Sequence, residues 1–214
     1  MALVLNGSAN TIGGIPVGGL PDGIVDTDML AANAVATAKI ADNAVTSAKA
    51  TGVSPFTRNT AFSFPNDQVS EVVDLTIPAD AVEFTISFTD VSSSGNEDLC
   101  FQLGTSSGIK TSGYECKASY INNNANPSSE NITDMIRFKI DNNTGNDKYG
   151  FCTFIHVNNN DWVFHGQAGS NRIGDRGGLV VGQVAMGGTV TTLRCRCNAD
   201  SGFDLGVGQL STRT

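Results

Sequence analysis

The stretch VEFTISFTDV, residues 82–91, alternates Val82, Phe84, Ile86 and Phe88 with Glu83, Thr85, Ser87 and Thr89. A period of two puts every second side chain on one face, so this stretch predicts a half-buried antiparallel strand, apolar inside and polar outside. Residues 135–140 behave the same way, with Ile136, Phe138 and Ile140 set against Met135, Arg137 and Lys139. Working outward, further alternating runs bounded by Gly, Asn, Ser and Pro fall at 71–77, 99–103, 114–121, 150–157, 162–166, 179–185, 189–197 and 203–209. No part of 69–214 keeps a 3.6-residue period. About ten short strands with turn-rich connections predict an all-β fold, a two-sheet β-sandwich of jelly-roll type.

Upstream of the sandwich the text changes. Residues 23–52 read as three decapeptides, GIVDTDMLAA, NAVATAKIAD and NAVTSAKATG. An apolar residue falls every fifth position, at Val25, Leu30, Val35, Ile40 and Val45, before the beat closes on Ala50. Such a spacing fits neither one helix face nor one strand face. An extended piece around each Val, followed by a short turn capped by Thr27, Thr37 or Ser47, suits it better. Two apolar residues per repeat make no core within one chain, but they make one between copies. The expectation is a thin homo-oligomeric stalk, most simply a homotrimer; the plain alternative is an Ala-rich linker.

Residues 1–22 are apolar but broken by Gly7, Gly13, Gly14, Pro16, Gly18, Gly19 and Pro21, which forbid a helix. Five large aliphatics, Leu3, Leu5, Ile12, Ile15 and Leu20, then need a partner surface. This predicts an extended N-terminal anchoring arm that docks on a larger assembly, rather than a frayed end. The organisation expected is therefore an arm at 1–22, a stalk at 23–52 and a β-sandwich at 53–214. Residues 53–67 form a transition whose Phe56, Phe62 and Phe64 pack under the sandwich.

Composition narrows the function classes. Charged residues are 16 % of the chain, and 13 Lys and Arg face 21 Asp and Glu, for a net charge of −8. Phosphate neutralisation needs clustered cations, so nucleic acid is not an expected partner. No apolar run approaches the roughly 20 residues of a membrane span, and the N-terminus lacks the features of a secretory leader. Membrane insertion is not expected, and synthesis is placed in a cytosol. Five cysteines, Cys100, Cys116, Cys152, Cys195 and Cys197, are an odd set and predict buried free thiols.

Enzyme signatures are absent. His156 and His165 are the two histidines, and no zinc, nucleophile-elbow or phosphate-loop pattern is present. Cys152 and His156 fall on one face of a strand, a core thiol and a core histidine rather than a catalytic pair. Asp90, Glu97 and Asp98 cluster near one turn and are read as solvated carboxylates; no metal or cofactor is expected. The segment NRIGDRGG at 171–178 is read as a charged loop or an ion-pair site between subunits. Asn-rich loops at 122–126, 141–146 and 158–161 offer neutral amides as well as turn chemistry. Sugars are read by amides and stacked on aromatic rings. The ligand-binding candidates are thus Trp162 with Asn159, Asn160 and His165 beside it, and Tyr120; the alternative for Trp162 is a place in the core.

The repeat DGIVDTDMLAANAVATAKIADNAVTSAKA resembles the decapeptide repeats of tail fibres and other fibrous virion proteins of tailed bacteriophages, notably those of marine bacteria and cyanobacteria. FTISFTDVSSSGNEDLCFQLGTSSGIKTSGYECKASY resembles the start of the β-sandwich that follows such repeats. The ending VTTLRCRCNADSGFDLGVGQLSTRT is similar to a recurrent closing strand. The resemblance implies a trimeric virion structural protein of tail-fibre, receptor-binding type, assembled in the host cytoplasm. Residues 1–22 would dock on tail, baseplate or capsid proteins, and the sandwich would meet a host cell-surface glycan. A capsid decoration or head-fibre protein without a host ligand is the alternative. Three decapeptides make a short stalk, which fits a short fibre or a fibre tip.

Overall fold

In the computed structural model the described residues are 4–6, 11–13, 35, 40, 56–69, 71–121, 127–140, 146–158, 160–171, 177–198 and 201–214. The chain divides into two units, Met1–Val53 and Ser54–Thr214. In the first, β1 (Val4–Asn6) and β2 (Thr11–Gly13) form an antiparallel hairpin with Leu5 opposite Ile12. Leu3, Ile15 and Leu20 of the expected arm lie outside the described residues. So do Val25, Leu30 and Val45 of the expected stalk. Val35 and Ile40 are described; each sits at a bend and is exposed.

The second unit is all-β among its described residues. It contains β3 (Phe56–Arg58), β4 (Phe62–Ser63), β5 (Val72–Thr76), β6 (Glu83–Ser93), β7 (Leu99–Thr105) and β8 (Gly108–Ile109). There follow β9 (Tyr114–Ile121), β10 (Pro127–Ile132), β11 (Ile136–Arg137), β12 (Lys148–Asn158) and β13 (Asp161–Ser170). The chain closes with β14 (Gly177–Ala185), β15 (Thr192–Cys197) and β16 (Phe203–Arg213). A broad sheet runs β10-β9-β14-β13-β12-β6-β16-β3, with β4 also on β16. A narrow sheet runs β11-β7-β15-β5, with β8 on β7. All pairings are antiparallel.

The strand order is that of a jelly roll. Take β3, β5, β6, β7, β11, β12, β15 and β16 as its first to eighth strands. One sheet then reads first-eighth-third-sixth and the other second-seventh-fourth-fifth, two interlocked Greek keys. Two hairpins are inserted in this frame: β9–β10 between its fourth and fifth strands, and β13–β14 between its sixth and seventh. Both add to the broad sheet beyond β12, so that sheet overhangs its partner.

Residues 82–91 lie at the centre. Phe84, Ile86 and Phe88 of β6 face inward and are buried, and Ser87 and Thr89 face out. The alternation breaks at Asp90, a non-glycine residue at φ 56°. There the pairing of β6 with β12 shifts between Gly150↔Phe88 and Lys148↔Val91, a β-bulge that accommodates one extra residue. Beyond it Val91, Ser92 and Ser93 are all buried. The sheets are joined by a triad of rings: Phe88 of β6, Phe101 of β7 and Phe138 just after β11, with centroids 5.9–6.0 Å apart. Burying each ring is worth roughly 1.5–3 kcal/mol. A second cluster, Phe84 stacked on Phe154 at 4.6 Å and tilted to Trp162 at 5.3 Å, fills the space under β12 and β13. Of the transition residues, Phe64 is buried against Phe203 and Phe62 packs on the core, whereas Phe56 is exposed.

Candidate functional site

Two of the concave regions on the outer surface of the broad sheet lie across β9, β14, β13 and β12, one towards each end of these strands. The cross-strand register places them. Trp162 pairs with Val184 on one side and His156 on the other, near the β12–β13 turn. Six residues further along β13, Ala168 pairs with Gly178, which pairs with Tyr120. At about 3.3 Å per residue the two regions are ~20 Å apart.

The region by the β12–β13 turn holds Trp162, but not as a platform. Its ring is 3 % exposed, set between Phe84 and the imidazole of His156, which stacks on it at 5.0 Å and 22°. Of the two roles expected for Trp162, the structure gives it the core one. His165 is an odd number of residues away along the strand, so it points out of the opposite face, where it meets the edge of Phe151. Asn160 makes the turn itself, at φ 73°, and its carbonyl accepts the N–H of Met186 at 2.9 Å. Asn159 lies outside the described residues. The expected cluster of Trp162, Asn160 and His165 is therefore not one site. What remains there is a cleft of about 380 Å³ whose polar rim includes Asp161 and the pair Gln183 and Glu115, hydrogen-bonded at 2.9 Å.

Tyr120 belongs to the other region, a groove of about 540 Å³ across β9, β14, β13 and β12. Its walls carry Ile121 from β9, Leu179 from β14, and Tyr149 and Phe151 from β12, with Gln167 of β13 between Leu179 and Phe151; the expected ligand residue Tyr120, two positions from buried Ala118, turns its ring to the opposite, inward face and lends the groove no platform. Its floor is glycine-rich, with Gly150, Gly177 and Gly178. None of its described lining residues is charged. The ring of Tyr149 lies across Gly169: a β-carbon there would meet the Cζ and hydroxyl of Tyr149 at 3.1 Å. The Tyr149 hydroxyl donates to the Ser170 carbonyl at 3.4 Å, which keeps the ring down on the sheet. Tyr149, Phe151 and the glycine floor were not singled out as one site from sequence. Tyr149 and Ile121 are 28 positions apart, and only the run of pairings from β12 through β13 and β14 to β9 brings them to one groove.

All five cysteines are free and buried. Burial pushes the thiols of Cys100 and Cys152 well up, raises those of Cys116 and Cys195, and takes Cys197 to about 11. A thiol held protonated is a poor nucleophile. Cys152 and His156 both face the core of β12, four residues and ~13 Å apart, beyond hydrogen-bond reach. Asp98 is buried, and its carboxylate faces Lys139 at 3.5 Å. Desolvation raises its pKa against the pull of Lys139. Among the described residues no cluster of three or more acidic, Cys or His side chains is arranged to hold a metal. Residues 172–176 of the expected charged loop lie outside the described residues. No family model, curated protein or solved structure matches the chain.

Proposed function

We propose that this protein is a homotrimeric virion structural protein of tail-fibre, receptor-binding type. It docks on the particle through its N-terminal arm and presents the jelly roll outward for attachment to a host surface. The observation that carries the reading is the five-residue apolar beat from Val25 to Val45. One chain has no means of burying it, and a bundle of identical chains does. The exposure of Val35 (51 %) and Ile40 (43 %) in the single chain is in keeping with residues that find their cover on another copy. The sandwich adds support, because its outer face is unusually apolar: Leu179, Val181, Ile155, Val157 and Val207 all stand exposed on the broad sheet.

The mechanism is recognition rather than catalysis. Three tips on one stalk convert weak single contacts into durable attachment, since the second and third contacts form at high effective concentration. The test has two arms. The full chain should sediment at three times its 22.3 kDa mass, and Val35→Asp with Ile40→Asp should dissociate it. Antibody against the protein should label virion tails and block adsorption. A monomeric wild-type chain, or labelling confined to the head, would overturn the reading.

A further inference from the structure

We propose that the groove between Tyr149 and Leu179 holds one residue of a neutral saccharide bearing a methyl group, an N-acetylhexosamine or a 6-deoxyhexose. The inference rests on the attachment reading and specifies its ligand. Four features of the groove point to this chemistry.

The first is size. At about 540 Å³ the groove falls within the range of roughly 300–1,000 Å³ usual for small-ligand sites. The second is the aromatic surface. Tyr149 is laid over Gly169 and Phe151 follows it two positions on along the same face of β12, so the C–H face of a pyranose meets an aromatic surface. The third is charge. Among the described residues the lining offers no cation to offset the lost hydration of an acidic sugar, so a neutral one fits it better. Gln167, whose amide both donates and accepts, is placed between the aliphatic and aromatic walls to read a hydroxyl or an acetamido group. Opposite the rings, Ile121 and Leu179 are both more than half exposed. They give a methyl substituent an apolar surface that an unsubstituted hexose would leave wet.

The fourth feature concerns the floor. Some glycines of the broad sheet are required by packing: a β-carbon at Gly150 would stand 2.2 Å from the Gln167 carbonyl oxygen. Gly177 is different. A β-carbon there meets no described atom within 4 Å. No described neighbour demands glycine at 177, yet its missing side chain is what leaves this end of the groove open.

The experiment is saturation-transfer NMR on the full-length chain with five probes: N-acetylglucosamine and rhamnose as methyl-bearing sugars, glucose and mannose as methyl-free ones, and glucuronate as a charged one. The methyl-bearing pair should bind, with transfer strongest at the methyl protons. Gly177→Leu, which fills the open end without a clash, should weaken binding at least fivefold, as should Tyr149→Ala. Both variants should keep the wild-type mass in solution. Absence of binding by the methyl-bearing probes, equal binding of glucose or glucuronate, or full binding by both variants would each overturn the proposal. A loss of oligomeric mass in both variants would overturn it too, by assigning the groove to a second copy of the chain. Because mass and virion location are read separately, failure here leaves the attachment reading standing or falling on its own test.

Discussion

Tyr114 shows how one side chain holds the sandwich together. Its hydroxyl accepts the backbone N–H of Leu103 at 2.8 Å and donates to the carbonyl of Lys110 at 3.3 Å, tying the start of β9 to β7. Tyr114→Phe leaves a buried N–H without its acceptor and should cost about 1–3 kcal/mol in denaturant unfolding. Burial also pushes the Tyr114 hydroxyl up to about 12, from an ordinary value of 10.0. The fold thus favours the neutral phenol. Its contribution is fully present below about pH 10 and is lost as pH rises through about 12. The wild-type protein should lose stability across that window more steeply than Tyr114→Phe, measured by urea midpoints from pH 9 upward; parallel curves would contradict the assignment. The thiols give a second expectation at this scale. With every cysteine buried and protonated, a thiol reagent at pH 7 should leave the native protein largely unmodified and titrate all five on unfolding. The odd count required only one unpaired cysteine; that all five are free and buried followed from the expected cytosolic synthesis. Tyr114 was legible only as a strand residue, because nothing in its neighbourhood announces a partner 11 residues away.

At the level of elements, alternation was a good guide wherever one face is buried and the other is wet. Residues 114–121 were read as a strand and are β9, and 82–91 became β6, which gains Ser92 and Ser93 and loses Val82, exposed rather than buried. The reading failed where that contrast is missing. β10 has the sequence PSSENI and extends the edge of the broad sheet, held by its ladder with β9 and by Glu130, which pairs with Arg137 at 2.8 Å and Lys139 at 3.1 Å. Its strand character comes from a partner, not from its own pattern. Residues 135–140 erred the other way: Ile136, Phe138 and Ile140 are buried as expected, but pairing with β7 stops after Arg137. Strand order was beyond reach altogether, since the two hairpins that widen the broad sheet resemble any others in sequence. Close approach was likewise invisible. A β-carbon on Gly182 of β14 would lie 2.3 Å from the Glu115 carbonyl oxygen of β9 and 2.6 Å from the ring of Phe164. Gly182→Ala should therefore cost about 1–3 kcal/mol and lower the melting temperature, as overpacking does.

Over the whole molecule the question is what brings copies together against their own charge. Each chain carries a net −8, so association concentrates like charge and is opposed by it. An assembly held by ion pairs would weaken as salt screens them; one held by apolar residues would tighten, because screening acts only on the repulsion. The expected stalk residues are aliphatic, and the exposed residues of the broad sheet include Leu179, Val181 and Val207. The trimer proposed here should accordingly persist, and become slightly stronger, between 0.05 and 0.5 M salt in sedimentation equilibrium. Val35→Asp with Ile40→Asp should dissociate it at the lower salt, since three aspartates would meet at each apolar level. Raising the salt should restore the variant only in part, because screening removes the repulsion but returns no buried apolar surface. A wild-type assembly that comes apart at 0.5 M salt would place ionic contacts at its centre and remove the argument from the five-residue beat.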